Sequence, residues 1–301
     1  NRVLAGRIPG PGRVNLTPML LQSGKLNGDL TVACIDEETF YLFGSSVAQN
    51  MHLRWFEMHL EGVQDVVYQN MTDDFHGIAI SGPNSRELLS RLTREDVSSE
   101  TFKFRDIRDT FIGGVPALCT RISFTGELGY EIYVAPQYQL KLFEAIEELG
   151  VDLNLKWFGG RALMSMRLEK SWGAWTMDFR PDFTIMESGL DFFVDWDKDF
   201  IGKKAALIEK NNGPSKKLSV IQIDTETDVS GDEAVMHNGE CVSYITSGGY
   251  GHSVKKSLAM TYLPVELIDS NVRLEVEILG KFYEASIVME PLYDPSGSKM
   301  R

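Results

Sequence analysis

At 301 residues, with 43% hydrophobic and 24% charged side chains, the chain has the composition of an ordinary globular protein built from two or three compact units. Its net charge of −13 argues against a nucleic-acid surface, which needs a basic stripe facing phosphate. No apolar run approaches the length needed to span a bilayer, so no membrane partner is expected, and the first residues lack the pattern of a secretory signal.

In chain order, Leu30 to Ile35 and Phe40 to Gly44 read as paired strands joined by the acidic Asp36-Glu37-Glu38 turn. Val47 to Leu60 has a helical pattern, with Gly62 just past its end. Strands are expected over Val63 to Tyr68 and Phe75 to Ile80. Gly82-Pro83-Asn84-Ser85 then opens a short helix ending near Leu92; proline at a helix start gives up only an N–H that would be unpaired there. Pro136 opens another helix, with Leu140, Phe143, Ile146 and Leu149 at helical spacing and Gly150 as its stop. Arg161 to Lys170 reads as a further helix. Residues 1–212 therefore mix strands and helices without a regular βαβ rhythm.

Asn211-Asn212-Gly213-Pro214-Ser215 is the clearest linker. Beyond it, residues 213–301 are almost all strand: Leu218 to Ile223, Glu240 to Thr246, Ser257 to Tyr262, Val272 to Ile278 and Phe282 to Val288. Short strands at even spacing predict a small closed barrel, jelly roll or sandwich of about ninety residues. The five histidines show no ligand spacing with each other or with the cysteines, so no metal site is expected. Gly248-Gly249-Tyr250-Gly251-His252 is Gly-rich, but no helix follows that could hold a phosphate, and a strand-to-strand turn is the expectation. No Gly-rich turn joins a strand to a helix near the start, so no flavin is expected in this chain. Cys34, Cys119 and Cys241 are odd in number and far apart, suiting buried thiols in a reducing compartment: the cytoplasm, or the mitochondrial matrix of a eukaryote.

Three stretches put charge where packing alone would not. Asp29 follows Asn27-Gly28 ahead of a strand, Glu131 sits in Gly126-Glu127-Leu128-Gly129-Tyr130-Glu131, and Arg161 follows Gly159-Gly160. On its motif alone Asp29 closes a hairpin turn, since Asn-Gly-Asp is ordinary turn chemistry. Trp172 and Trp175 could wall a flat aromatic ligand or fill a core.

Together these stretches resemble the folate-binding aminomethyltransferase family, the glycine cleavage T-protein and its relatives. Asn15 to Leu20 with Gly28 to Val32, Gly126 to Glu131, Arg161 to Glu169, and Gly189 through Lys203 carry the resemblance over nearly the whole chain. Lys170 to Trp175, Tyr244 to His252 and Glu290 to Pro295 resemble the folate-binding C-terminal half of dimethylglycine and sarcosine dehydrogenases. The chain opens where the family's first domain is already under way.

The resemblance implies an α+β fold in which two interleaved α/β segments form a folate site beside a C-terminal barrel. It implies tetrahydrofolate-dependent transfer of a one-carbon unit from a methylated amine or aminomethyl donor, giving 5,10-methylenetetrahydrofolate. Asp29 is then the catalytic group near the folate nitrogens, and Glu131 grips the pterin. Met19, Leu42, Phe43, Tyr130 and Trp175 complete the implied pocket. Arg161 meets the folate tail or pairs with a nearby acid. The partners implied are a small amine donor and a flavoprotein domain or subunit. The chain is accordingly a stand-alone transferase, the folate half of a flavoenzyme, or a non-catalytic folate-binding accessory protein. Phe200, with no cysteine nearby, counts against the last.

Overall fold

Alternating side chains and one tight turn build the first layer. β1 (Arg13–Leu20) and β2 (Leu26–Cys34) run antiparallel around a turn in which the Gly24 N–H donates to the Leu21 carbonyl at 2.9 Å. β3 (Phe40–Phe43) pairs with β2 to complete a three-stranded sheet. Leu30, Val32 and Met19 fill one face with Phe56 of helix α1 (Gln49–Leu60), while Val14 and Ala33 fill the other. The computed structural model describes residues 1–270 and 272–301.

The second layer is a four-stranded sheet in the order β4 (His76–Ser81), β7 (Gly129–Val134), β6 (Val115–Thr120), β5 (Ile107–Ile112). Helices α2 (Ser85–Leu92) and α3 (Gln139–Gly150) cover its outer face through Leu88, Leu89, Leu142 and Ile146. Its inner face, with Leu118 and Tyr133, packs against Val14, Ala33 and Phe43 of the first sheet. Helix α4 (Gly160–Glu169) leads into an irregular stretch and then helix α5 (Lys203–Asn212). The remaining strands close the expected barrel, in the order β10 (Glu240–Gly251), β11 (Lys256–Pro264), β8 (Lys216–Ile223), β13 (Lys281–Val288), β12 (Leu274–Ile278), β9 (Ala234–His237).

Five local expectations are corrected. Val63 to Tyr68 forms no strand: Val63, Val66 and Val67 are exposed, and Asp65 has φ 65°. Asp29 lies inside β2 rather than in a turn. Leu140 faces solvent, and the buried stripe of α3 is Leu142 and Ile146. Cys241 is exposed, unlike Cys34 and Cys119. The glycine run expected as a turn lies largely inside β10, where it allows close approach. A Cβ at Gly248 would fall 2.7 Å from the Val229 side chain, and one at Gly251 3.0 Å from Glu169 Cγ.

An ion pair joins α4 to the barrel. Arg167 and Asp178 are both fully buried, with Nη1 donating to Asp178 Oδ2 at 2.7 Å and to the Trp172 carbonyl at 2.9 Å. Asp178 Oδ1 accepts from the Thr246 and Ser247 hydroxyls at 2.5 and 2.7 Å. Removing one partner of such a pair strands the other charge without solvent. Arg167→Met is therefore expected to cost about 3–5 kcal/mol of folding free energy in urea titration. Arg161→Met, which removes an ion pair to Asp228 across open solvent, is expected to cost less than about 1 kcal/mol.

Candidate active site

Strand alternation places Asp29 on the same face of β2 as Thr31 and Ala33, the face directed at the second sheet. On the facing strand, β7 turns Tyr130, Ile132 and Val134 outward into the α2–α3 core and leaves Glu131 and Tyr133 on the inner side. The two carboxylates thus lie on the faces that the two sheets turn towards each other. Phe43 stacks on Tyr133 there, with ring centroids 4.6 Å apart. The Tyr133 hydroxyl donates to Glu131 Oε2.

Electrostatics separates these two acids from the surface carboxylates. Burial raises Asp29 from 3.8 to about 7, opposed only by a hydrogen bond from its own backbone. Burial also raises Glu131, and the Tyr133 hydrogen bond partly offsets this. Neither is in an ion pair among the described residues. Two desolvated, unpaired acids on facing sheets are suited to accepting hydrogen bonds or a proton from a ligand.

The other candidates divide. Phe43 packs between the two sheets, against Tyr133. Met19 and Leu42 lie on the opposite face of the first sheet, with Leu4, Leu30 and Phe56, so they support it from behind. Tyr130 is buried in the outer core of the second sheet, where Arg86 Nε donates to its hydroxyl at 3.3 Å. Trp175 packs with Leu26, Phe179 and Ile185, its ring 6.1 Å from that of His52. Arg161 is 94% exposed and pairs with Asp228 at 3.4 Å. Tyr133 was not anticipated; its position two residues beyond Glu131 on the same strand face was the available signal.

Comparison with known proteins agrees with this architecture. The profile of the GCVT N-terminal domain matches residues 1–198, and that of the glycine cleavage T-protein C-terminal barrel domain matches residues 216–294. The chain belongs to the glycine cleavage T-protein family. It is 30% identical to an aminomethyltransferase of a Thermoanaerobacter species, covering 95% of this chain and 78% of that protein. It is 36% identical to human mitochondrial dimethylglycine dehydrogenase over 97% of this chain. The chain spans about a third of that relative's length, 34%. The crystal structure of glycine cleavage system aminomethyltransferase T from Bartonella henselae superposes with a TM-score of 0.86 at 23% identity, over 98% of this chain and 80% of that one, and shows the shared fold. These relatives are enzymes. Among the described residues no helix is long and apolar enough to cross a membrane.

The raised Asp29 fixes the sign of a stability effect. A carboxyl protonated more readily when folded contributes stability that is full below about pH 4 and lost as pH rises through about 7. Asp29→Asn removes that dependence. Its melting temperature is expected to exceed the parent's at pH 8, with the difference shrinking towards pH 4. A difference that is flat across this range would show that Asp29 ionises normally.

Proposed function

We propose that the chain transfers a one-carbon unit from a methylated amine or aminomethyl donor to tetrahydrofolate, giving 5,10-methylenetetrahydrofolate. The observation that carries this reading is the pair of desolvated carboxylates, in no ion pair among the described residues, on the faces that the two sheets turn towards each other, where Phe43 stacks on Tyr133. A flat, donor-rich pterin matches that set: Glu131 accepts two ring N–H groups, and Phe43 and Tyr133 present aromatic surface. Reduced folate supplies the nitrogens that take up the one-carbon unit. Tyr133 fixes the Glu131 carboxylate through its hydroxyl. Asp29, titrating near neutrality, orients the reacting nitrogen, takes its proton, or stabilises positive charge developing on the one-carbon unit. Arg161 stands at an exposed helix start from which it reaches a folate tail only by leaving Asp228. The match to one third of dimethylglycine dehydrogenase supports a flavoprotein domain or subunit as the partner that oxidises the donor.

Binding and chemistry separate in two variants. Glu131→Ala is expected to weaken tetrahydrofolate binding by about 2–5 kcal/mol in calorimetric titration, the cost of truncating one side of a buried charged hydrogen bond. Affinity equal to the parent's would remove Glu131 from the pterin site. Asp29→Asn keeps shape and loses charge, so donor-dependent formation of methylenetetrahydrofolate is expected to fall on the order of 10²-fold while folate affinity changes far less. Unchanged turnover would leave Asp29 without a catalytic part.

A further inference from the structure

A second set of unpaired polar groups lies on the other side of β2, away from the two carboxylates. Between Met19 and Leu20 the β1–β2 register slips, so that Met19 faces Gly28 and Leu20 faces Leu26, leaving Asn27 as an unpaired bulge. Asn27 is only 5% exposed, and its Nδ2 has no hydrogen-bond partner among the described residues. It lines a groove of about 920 Å³ along α1.

Two more donors line that groove. The Trp55 indole Nε1 is buried and equally without a partner, and the Arg54 guanidinium is in no ion pair among the described residues. Met51, Met58 and Leu60 give the groove apolar surface, and Glu57 and Glu61 add negative charge along it. A buried amide NH₂ and indole N–H without acceptors carry a desolvation cost that an acceptor-rich ligand relieves. The volume falls within the range of small-molecule sites, roughly 300–1,000 Å³. The position is also specific. A Cβ at Gly28 would come within 2.7 Å of His52 Nε2 and 2.6 Å of Met19 Cε, so this glycine lets β2 seat closely on α1 where the bulge turns Asn27 towards it.

We infer that the groove between the Asn27 bulge and α1 binds a carboxylate-bearing small molecule, held by Asn27 Nδ2, Trp55 Nε1 and the Arg54 guanidinium. A carboxylate supplies acceptors for all three donors at once. Two sources share this chemistry: an amino-acid type of amine donor, whose ammonium would face Glu57 and Glu61, and the glutamyl tail of folate. Their relevance rests on the proposed transfer; the site itself does not.

The test uses the ¹⁵N-labelled full chain, with Trp55→Phe identifying the Trp55 indole signal. N-methylglycine, N-methylglycinamide and p-aminobenzoylglutamate are titrated separately. One of the two carboxylates is expected to shift that signal saturably while the amide does not. Arg54→Met, at an exposed position that leaves folding intact, is expected to weaken the effect at least tenfold. If p-aminobenzoylglutamate is the ligand, Arg54→Met also lowers tetrahydrofolate affinity; if N-methylglycine is the ligand, that affinity is unchanged. No saturable shift, equal binding of the amide, or an unaltered titration in Arg54→Met overturns the site. A saturable carboxylate shift in a chain that fails to bind tetrahydrofolate upholds the site and sinks the transfer reading.

Discussion

The position of the central chain depends on one buried ion pair. Arg167 and Asp178 are both shut off from water, and donors surround the Asp178 carboxylate although Arg167 Nε has no partner among the described residues. Asp178 accepts from Arg167, the Ala174 N–H, Thr246 and Ser247, and its carbonyl accepts from the Tyr262 hydroxyl at 2.8 Å. These contacts tie α4, the irregular stretch after it, and two barrel strands to one point. That stretch then places Trp175, Phe179 and Ile185 against Leu20 and Leu26 at the β1–β2 turn, so the anchor extends to the base of the strand that carries Asp29.

The same desolvation acts with the opposite balance between the sheets. Asp178 is surrounded by donors, whereas among the described residues Asp29 has only its own backbone and the Glu131 carboxylate only Tyr133. An acid buried without partners is unfavourable for folding unless the protonated form is retained or a ligand supplies the missing donors. The contrast within one molecule separates Asp178 from Asp29 and Glu131. The number of donors around each carboxylate makes the difference, since all three are removed from bulk water.

The barrel was legible because its strands are evenly spaced and bounded by Gly, Asn and Asp turns, although β9 escaped the reading. The β5–β6 hairpin had a readable signal that went unused: Gly113-Gly114, both at positive φ, between Phe111-Ile112 and Val115. Val63 to Tyr68 misled because β-branched residues mark a strand only where a partner strand exists. The stretch between α4 and α5 has little periodicity, being positioned by buried polar contacts that no local pattern encodes. At the site, Glu131 and Asp29 were visible as misplaced charges. Met19, Leu42 and Tyr130, which the resemblance implies for the pocket, fall on the far faces of their sheets, because strand alternation reverses the face from one residue to the next.

Asn27-Gly28-Asp29 shows how a turn-like sequence can do something other than turn. In a regular strand Asn27 and Asp29, two residues apart, would share a face. The bulge at Asn27 breaks that phase, so the amide goes to the α1 side while the carboxylate keeps to the inter-sheet side. Gly28 between them has its missing side chain on the α1 side, where His52 and Met19 occupy the space. Turn-forming residue types are what such a break requires, because they tolerate irregular backbone and leave room for close approach. One extra residue in one strand therefore gives the two faces of β2 separate polar environments, an acid on one and a donor on the other.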